Sequence, residues 1–171
     1  MTMVDIRRMQ PEDVPSVMVI ERECFTAPWR ESSYLTELSN RSAYYVVACV
    51  DDEIVGYAGQ WVIMDEAHIT TLGVAKQYRG RAIGEQLLIA MLEEAVRQNA
   101  KRATLEVRDS NIIAQNLYHK YGFQTVAIRR GYYTDNHEDA QVMWVENISS
   151  IEYDARLTEL KQNLTKSVQS T

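Results

Sequence analysis

Apolar side chains recur along the chain with two different spacings, which predict strands in some segments and helices in others. Residues 44–50, 54–64 and 67–74 are rich in β-branched and aromatic residues, and short acidic turns separate them. Runs of this composition bounded by turns are typical of strands that pair as an antiparallel meander. After them, apolar residues from Ile83 to Val96 recur three or four positions apart, which predicts an amphipathic helix.

The same patterns assign the rest of residues 1–148. We expect a strand at 4–9, helices near 10–24 and 31–39, a strand at 102–107, a helix at 111–121 and strands at 124–130 and 141–148. The resulting order, β-α-α-β-β-β-α-β-α-β-β, contains no internal repeat. It predicts a single α/β domain of the α+β kind, in which helices flank a mixed, mostly antiparallel central sheet.

Residues 149–171 form a polar extension beyond this domain. They are rich in Ser, Thr, Gln and Lys, yet apolar side chains still recur every three or four positions. These apolar residues are Tyr153, Leu157, Leu160, Leu164 and Val168. The spacing predicts an amphipathic helix. It leaves open whether this helix docks on the domain, associates with a second copy or is disordered when free.

The composition is that of one folded domain. The chain has 171 residues, of which 46% are hydrophobic and 25% charged, with only seven glycines and three prolines. A chain of this length buries about 70% of its unfolded surface, which is enough for one core. The longest apolar stretch, residues 44–50, is far too short to span a membrane. Asp5, Arg7 and Arg8 argue against an N-terminal signal peptide, so we expect a cytoplasmic protein.

The charged side chains narrow the class of partner. The chain carries 24 acidic and 18 basic side chains, a formal net charge of −6, which argues against a nucleic-acid or membrane-surface partner. Residues 76–102 are an exception, with six basic and three acidic side chains, so a small anionic ligand remains compatible with this segment. Cys24 and Cys49 are isolated and the three histidines are scattered, so the sequence indicates neither a disulfide framework nor a metal site.

The most informative segment joins the fourth predicted strand to the helix that begins near Ile83. It comprises Leu72, Gly73, Val74, Arg79, Gly80, Arg81, Ala82, Ile83 and Gly84. The free N–H groups and the dipole of a helix N-terminus attract anions, glycines let a ligand approach the backbone, and the two arginines add positive charge. This combination favours a pyrophosphate ligand. An ordinary glycine-containing turn with solvated arginines has the same pattern, so the segment alone leaves both interpretations open.

Five spaced motifs within residues 4–148 resemble a known family. They are Arg79-x-x-Ala82-x-Gly84, residues 105–111, residues 117–123, Phe25-x-x-Pro28-Trp29 and residues 129–143. The first is similar to the pyrophosphate loop of the GNAT superfamily of N-acetyltransferases, and the next two resemble the second half of that fold. The last two are similar to the RimI-type protein N-terminal acetyltransferases, which modify the α-amine of a ribosomal protein.

The resemblance implies a fold and a cosubstrate. The fourth and fifth strands would splay apart, and acetyl-CoA would bind there without a metal. In that family the pantetheine arm pairs with the fourth strand, here residues 72–74, and a backbone N–H near Val74 would stabilise the developing oxyanion. The loop at residues 79–84 would hold the pyrophosphate. Ala82 departs from the family, which usually has glycine there, and its Cβ would lie near the phosphates unless the local backbone is helical.

The resemblance also implies catalytic residues. Glu106 would be the general base, acting through a water molecule, and Tyr118 would be the general acid for the cofactor sulfur. Asn111 would contact the cofactor. From the residues alone, Glu106 also fits a solvent-facing position on its strand, Tyr118 a core aromatic and Asn111 a helix N-cap.

Two aromatic segments would form the walls of the acceptor site. They contain Phe25, Pro28, Trp29, Tyr132 and Tyr133. Aromatic side chains on loops expose much apolar area, which makes them candidates for ligand contact. The alternative is that they cover an edge of the core.

Together these features predict transfer of the acetyl group of acetyl-CoA to a protein N-terminal α-amine, with a ribosomal protein as the expected acceptor. An α-amine has a reference pKa of about 8 and a lysine of about 10.4, so the α-amine needs less help at neutral pH. Acetylation of a lysine or a small amine is the alternative among enzymes. A non-catalytic CoA-binding interaction module is the alternative outside them. We expect a monomer or a weak homodimer.

Overall fold

The chain folds around one seven-stranded sheet. A computed structural model describes residues 2–170, except for the side chain of Val168. The strands are β1 (Asp5–Arg8), β2 (Ala43–Val50), β3 (Glu53–Ile63), β4 (Glu66–Val74), β5 (Arg102–Arg108), β6 (Gln124–Arg129) and β7 (Ala140–Val145). The helices are α1 (Val14–Cys24), α2 (Glu31–Leu38), α3 (Ile83–Arg97), α4 (Ile112–Lys120) and α5 (Ile151–Gln169). The strand order in the sheet is β1-β2-β3-β4-β5-β7-β6, which confirms the predicted mixed, mostly antiparallel sheet.

The predicted meander is formed by two tight hairpins. Asp51 and Asp52 alone join β2 to β3, with φ angles of 48° and 66°. Two-residue hairpins favour this left-handed geometry because it matches the twist of the flanking strands, and Asp tolerates it better than most residues do. Met64 and Asp65 make the second connection, from β3 to β4, and Met64 is also left-handed, with a φ of 56°.

β4 and β5 splay apart, as the resemblance implies. They pair in parallel only from Glu66–Arg102 to His68–Thr104. β4 continues to Val74 without pairing with β5, while β5 continues beside β7 to its last residue. The result is a split in the sheet, bounded on one side by the end of β4 and on the other by the end of β5.

Helices cover the two faces of the sheet. On one face, α3 buries Leu87, Leu88, Met91 and Leu92 completely in the main core. On the other face, α1 and α2 pack over β2, β3 and β4, and a second cluster contains Tyr34, Tyr45 and Tyr57 among its buried residues. β6 forms one edge of the sheet and is exposed at all of its positions.

The C-terminal extension is a helix that packs on the domain. Ser150 caps α5 by accepting a hydrogen bond from the Tyr153 N–H. Tyr153, Leu157 and Leu164 are buried in the same core cluster as α3, and Leu160 packs against it. The predicted apolar face therefore docks on the domain, apart from Val168, whose side chain lies outside the described residues. No described helix is long and apolar enough to cross a membrane.

Candidate active site

The segment between β4 and α3 ends in a helix N-terminus that no side chain caps. Gln86 donates the first helical hydrogen bond, to the Ala82 carbonyl, so the N–H groups of residues 83–85 have no partner within the helix. Gly80 has a φ of 76°, and a Cβ built there would meet nothing within 4 Å. The space beside Gly80 and the free N–H groups of α3 fit the pyrophosphate of a nucleotide cofactor.

Ala82 has a left-handed backbone, with φ at 60° and ψ at 21°. The Ala82 Cβ would be harmless if the backbone here were that of a right-handed helix, and it is not. A left-handed conformation costs a non-glycine residue roughly 1–2 kcal/mol. The structure gives a physical reason for glycine at this position of the loop, and the chain tolerates alanine at the cost of backbone strain.

The two arginines of this segment bond to backbone carbonyls nearby. Arg79 donates from Nε to the Val74 carbonyl, at 3.2 Å, and from Nη2 to the Cys24 Sγ, at 3.3 Å. Arg81 donates to the Gln77 carbonyl at 3.2 Å. Cys24, at the end of α1, is thus a contact of the segment that the sequence does not reveal.

Two glycines near the end of β4 differ in how closely they fit against their neighbours. A Cβ on Gly73 would lie 2.8 Å from the ring of Tyr57, so only glycine fits there without displacing the ring. A Cβ on Gly84 would instead lie at ordinary contact distances, 3.7 Å from Leu72 and 3.8 Å from Val74. The backbone of residues 72–74 is therefore tightly held against β3, while its other edge has no pairing with β5.

Glu106 lies on β5 beside the split and is neither free in solvent nor fully buried. Its side chain is 14% exposed, and it accepts a hydrogen bond of 2.8 Å from Nε2 of His68 on β4. Nη2 of Arg129, on β6, lies 4.0 Å from Oε1 of Glu106. The His68 hydrogen bond is the main cause that lowers the pKa of Glu106, and the nearby positive charge of Arg129 adds to it. The carboxylate is therefore ionised at neutral pH.

His68 is a site residue that sequence analysis missed. Its only sequence signal is a place on the fourth strand, and its partner Glu106 lies 38 positions away. His68 belongs to the last residue pair between β4 and β5, so it stands where the split begins. Its ring also meets the ring of Trp61 edge to face, with centroids 6.1 Å apart.

Helix α4 carries two of the predicted site residues. Asn111 is its N-cap and accepts a hydrogen bond of 3.2 Å from the Ala114 N–H. Tyr118 is half-buried, with its ring 5.8 Å from that of Phe123. Burial raises the pKa of Tyr118 to about 12, and the Tyr133 phenol contributes in the same direction.

The C-terminal end of α4 is held by two other helices. From α5, the Tyr153 hydroxyl donates to the Tyr121 carbonyl at 2.8 Å, and Arg156 donates to the Lys120 carbonyl at 2.9 Å. From α3, Glu85 accepts hydrogen bonds from the Lys120 ammonium and the Tyr121 hydroxyl. Carbonyls at a helix C-terminus lack hydrogen-bond donors within the helix, so the donors on α5 satisfy carbonyls that have no partner in α4.

The two predicted acceptor walls meet through polar contacts. Thr26 donates a hydrogen bond to Asp135, which links the segment after α1 to the loop between β6 and β7. Arg108 binds Asp135 at 2.9 Å and Glu138 at 3.3 Å, and its guanidinium lies 3.9 Å from the ring centre of Tyr133. The structure thus brings the two loops together at the end of β5.

The aromatic residues of these walls differ in exposure. Phe25, Trp29 and Tyr133 are half-buried, whereas Pro28 and Tyr132 are exposed. Phe25 and Trp29 also pack against the second core cluster, so covering the core edge is part of their role. Among residues 2–170, no three His, Cys, Asp or Glu side chains lie close enough together to hold a metal ion.

Comparisons with known proteins agree with this geometry. The family model for the acetyltransferase (GNAT) family matches residues 14–123. A candidate [ribosomal protein bS18]-alanine N-acetyltransferase of Bacillus subtilis (strain 168) is 44% identical over 145 residues, covering 84% of this chain and 96% of the relative. The [ribosomal protein bS18]-alanine N-acetyltransferase of Escherichia coli (strain K12) is 30% identical over 140 residues, covering 81% and 94%.

A solved structure matches the fold as well. The crystal structure of the ribosomal-protein-S18-alanine N-acetyltransferase from Escherichia coli superposes with a TM-score of 0.79 and 28% sequence identity. The match covers 85% of this chain and 94% of that one.

Proposed function

Because the chain belongs to the GNAT family of acetyltransferases, we propose that it moves an acetyl group from acetyl-CoA to the α-amine of a protein N-terminus. A ribosomal protein is the acceptor we favour, since two relatives are named for the alanine of ribosomal protein bS18. The observation that carries the proposal is Glu106, an ionised carboxylate that is hydrogen-bonded to His68 at the point where β4 and β5 separate.

The β4 side of the split supplies the binding site for the cosubstrate. The free N–H groups of residues 83–85 and the open space at Gly80 would hold the pyrophosphate, and Arg79 and Arg81 add positive charge. The backbone of residues 72–74 has an edge without a β5 partner, which suits pairing with the pantetheine amides. When bound, acetyl-CoA supplies a thioester that is already activated for transfer, so no metal is required.

Glu106 would act as general base through a water molecule. The reference pKa of an α-amine, about 8, lies close to neutral pH, so removing its proton requires little driving force. His68 and Arg129 keep the Glu106 carboxylate ionised and fix its orientation. A lysine, with a reference pKa of about 10.4, is protonated to a greater extent at neutral pH and would need more help to lose its proton.

Tyr118 would give its phenolic proton to the departing thiolate. With a pKa of about 12, the phenol is protonated at neutral pH, as a general acid must be. Asn111, the N-cap of the same helix, would contact the cofactor as well. The Val74 N–H, at the end of β4, would stabilise the negative charge that develops on the acetyl oxygen.

The acceptor would enter between the two aromatic walls, opposite the cosubstrate. Phe25, Pro28 and Trp29 form one wall and Tyr132 with Tyr133 the other, and the Thr26–Asp135 hydrogen bond links the two segments. An acceptor N-terminus arrives as a cation, which suits a chain with a net charge of −6.

Matched peptides test the proposal. A peptide with the N-terminal segment of bS18 and one internal lysine is incubated with acetyl-CoA, alongside the same peptide with its α-amine blocked. Mass spectrometry with fragmentation locates the acetyl group. We expect acetylation of the free α-amine and none of the blocked peptide.

Three outcomes would contradict the proposal. Faster acetylation of the lysine in the blocked peptide would make the protein a lysine acetyltransferase. Failure to bind acetyl-CoA by calorimetry would exclude acetyl transfer from this cosubstrate, and binding without transfer to any peptide would make the protein a non-catalytic CoA-binding module.

A further inference from the structure

Glu21 is a buried carboxylate that the proposed chemistry does not use. It lies on α1, it is only 2% exposed, and it belongs to no ion pair among the described residues. Burying a carboxylate is costly unless hydrogen bonds replace the water it loses. Its position in the core therefore needs an explanation from its contacts.

Three donors surround this carboxylate. The Trp29 backbone N–H donates to Oε1 at 3.0 Å. The Tyr34 hydroxyl donates to Oε2 at 2.8 Å, and the Tyr57 hydroxyl donates to the same oxygen. Burial, reinforced by the charge of Glu21, raises the pKa of both tyrosines, so they keep the protons that they donate.

The three donors come from different parts of the candidate active site. Trp29 belongs to the segment that forms one acceptor wall, and its ring packs on that of Tyr34, with centroids 5.2 Å apart. Tyr57 lies on β3, and its ring covers Gly73 on β4, where the cosubstrate would bind. One carboxylate thus joins the acceptor wall to the strand that lines the cosubstrate site.

We propose that Glu21 is a positioning residue, which fixes the segment at residues 25–29 relative to β4 and so sets the geometry in which the acceptor meets the cosubstrate. The inference rests on the proposed function, because residues 25–29 form an acceptor wall only if the protein acetylates an acceptor there. Few other hydrogen bonds hold this segment in place. The Phe25 N–H donates to the Glu21 carbonyl, and Thr26 reaches across to Asp135.

The decisive comparison is between Glu21→Gln and Asp13→Asn. Asp13 is also a buried carboxylate next to α1, where it binds Arg7 and the Gln10 N–H, but it contacts neither acceptor wall. Both changes replace a carboxylate with an amide of the same shape, and both weaken charge-assisted hydrogen bonds. Any general loss of stability should therefore be similar in the two variants.

Steady-state kinetics separate a positioning role from a structural one. We expect Glu21→Gln to raise the KM for the acceptor peptide about tenfold or more, with the KM for acetyl-CoA changed less than about threefold. Asp13→Asn should leave the acceptor KM unchanged. An unchanged acceptor KM in Glu21→Gln, or an equal rise in Asp13→Asn, would overturn the inference.

Hydrogen exchange gives a readout that does not depend on activity. Exchange at the Trp29 amide should be faster in Glu21→Gln than in the wild type, and unaltered in Asp13→Asn, because only the first change disturbs its acceptor. Tyr57→Phe removes one of the three donors and should give a smaller change in the same direction. If the wild type acetylates no peptide, the proposed function fails, while the Trp29 amide still reports whether Glu21 holds this segment.

Discussion

The two sides of the split between β4 and β5 are built in different ways. The β4 side offers mostly backbone: the N–H groups of residues 83–85, the edge of residues 72–74 and a glycine under the Tyr57 ring. The β5 side offers mostly side chains: His68 holds Glu106, and Arg108 holds the loop between β6 and β7. Substitutions that keep a side chain's shape should therefore disturb the β5 side, whereas the β4 side should respond to added volume and to backbone angles.

The largest expected effect tests the β5 side directly. Glu106→Gln keeps the shape of the side chain but removes the proposed base, so kcat should fall by about 10²-fold or more while acetyl-CoA binds with unchanged affinity. Steady-state acetylation assays measure kcat, and calorimetry measures the affinity for acetyl-CoA. Glu146→Gln, at an exposed position after β7, is the control and should retain full activity. Full activity in Glu106→Gln would remove its assignment as base.

Tyr118→Phe tests the proposed acid and should also lower kcat by about 10²-fold. The wild-type rate should rise with pH as the α-amine, with a reference pKa of about 8, loses its proton. The rate should then stay level to about pH 10, because Tyr118, with a pKa of about 12, still carries the proton that it donates. Tyr44→Phe, on β2, serves as the control, and an unchanged rate in Tyr118→Phe would contradict the role.

Two glycine substitutions test whether the β4 side responds to volume. Gly73→Ala places a Cβ 2.8 Å from the Tyr57 ring, so it should destabilise the fold by about 1–3 kcal/mol. Gly84→Ala meets only ordinary contacts near the start of α3 and should be neutral or stabilise by up to about 1 kcal/mol. Thermal unfolding of the two variants gives the comparison, and equal Tm values would show that the Tyr57 ring moves aside without a cost in stability.

The contact between α5 and α4 should have a moderate effect. Tyr153→Phe leaves the Tyr121 carbonyl without its donor, which should cost about 1 kcal/mol in the free energy of unfolding. Urea denaturation measures that cost. Phe and Tyr pack alike, so a loss well above 3 kcal/mol would indicate that more than this hydrogen bond is lost.

The smallest expected effect concerns the backbone angle at Ala82. Ala82→Gly relieves a left-handed strain of roughly 1–2 kcal/mol, but glycine loses about 0.5–1 kcal/mol of conformational entropy on folding. We therefore expect a gain in stability of at most about 1 kcal/mol and a change in acetyl-CoA affinity below about threefold. A much larger gain in affinity, measured by calorimetry, would show that the Ala82 Cβ obstructs the phosphates.

Most of the fold follows from the sequence pattern, because alternating and helical spacings mark elements locally. The pattern predicts all seven strands, with boundary errors at the end of β7, which the structure ends at Val145, and at the start of α1. The splay of β4 and β5 and the roles of Glu106 and Tyr118 came from family resemblance. Those roles stay predictions.

The contacts that complete the site are not visible in the sequence. His68 and Glu106 are 38 positions apart, and Thr26 and Asp135 are 109 apart, so only the fold brings them together. The buried Glu21 is marked only by its place on the apolar face of α1, since its donors lie on other elements. An amphipathic pattern shows that α5 needs a partner surface but not which surface it is.

The few residue pairs between β4 and β5 also bear on how the sheet assembles. The two hairpins of β2, β3 and β4 close over connections of two residues, whereas β5 can reach β4 only after α3 has crossed the sheet. Contacts between near neighbours close at a smaller entropic cost than contacts between distant segments. This order favours early formation of the meander and later joining of β5, so the opening proposed to admit both substrates lies at a seam of the sheet that closes after the meander has formed.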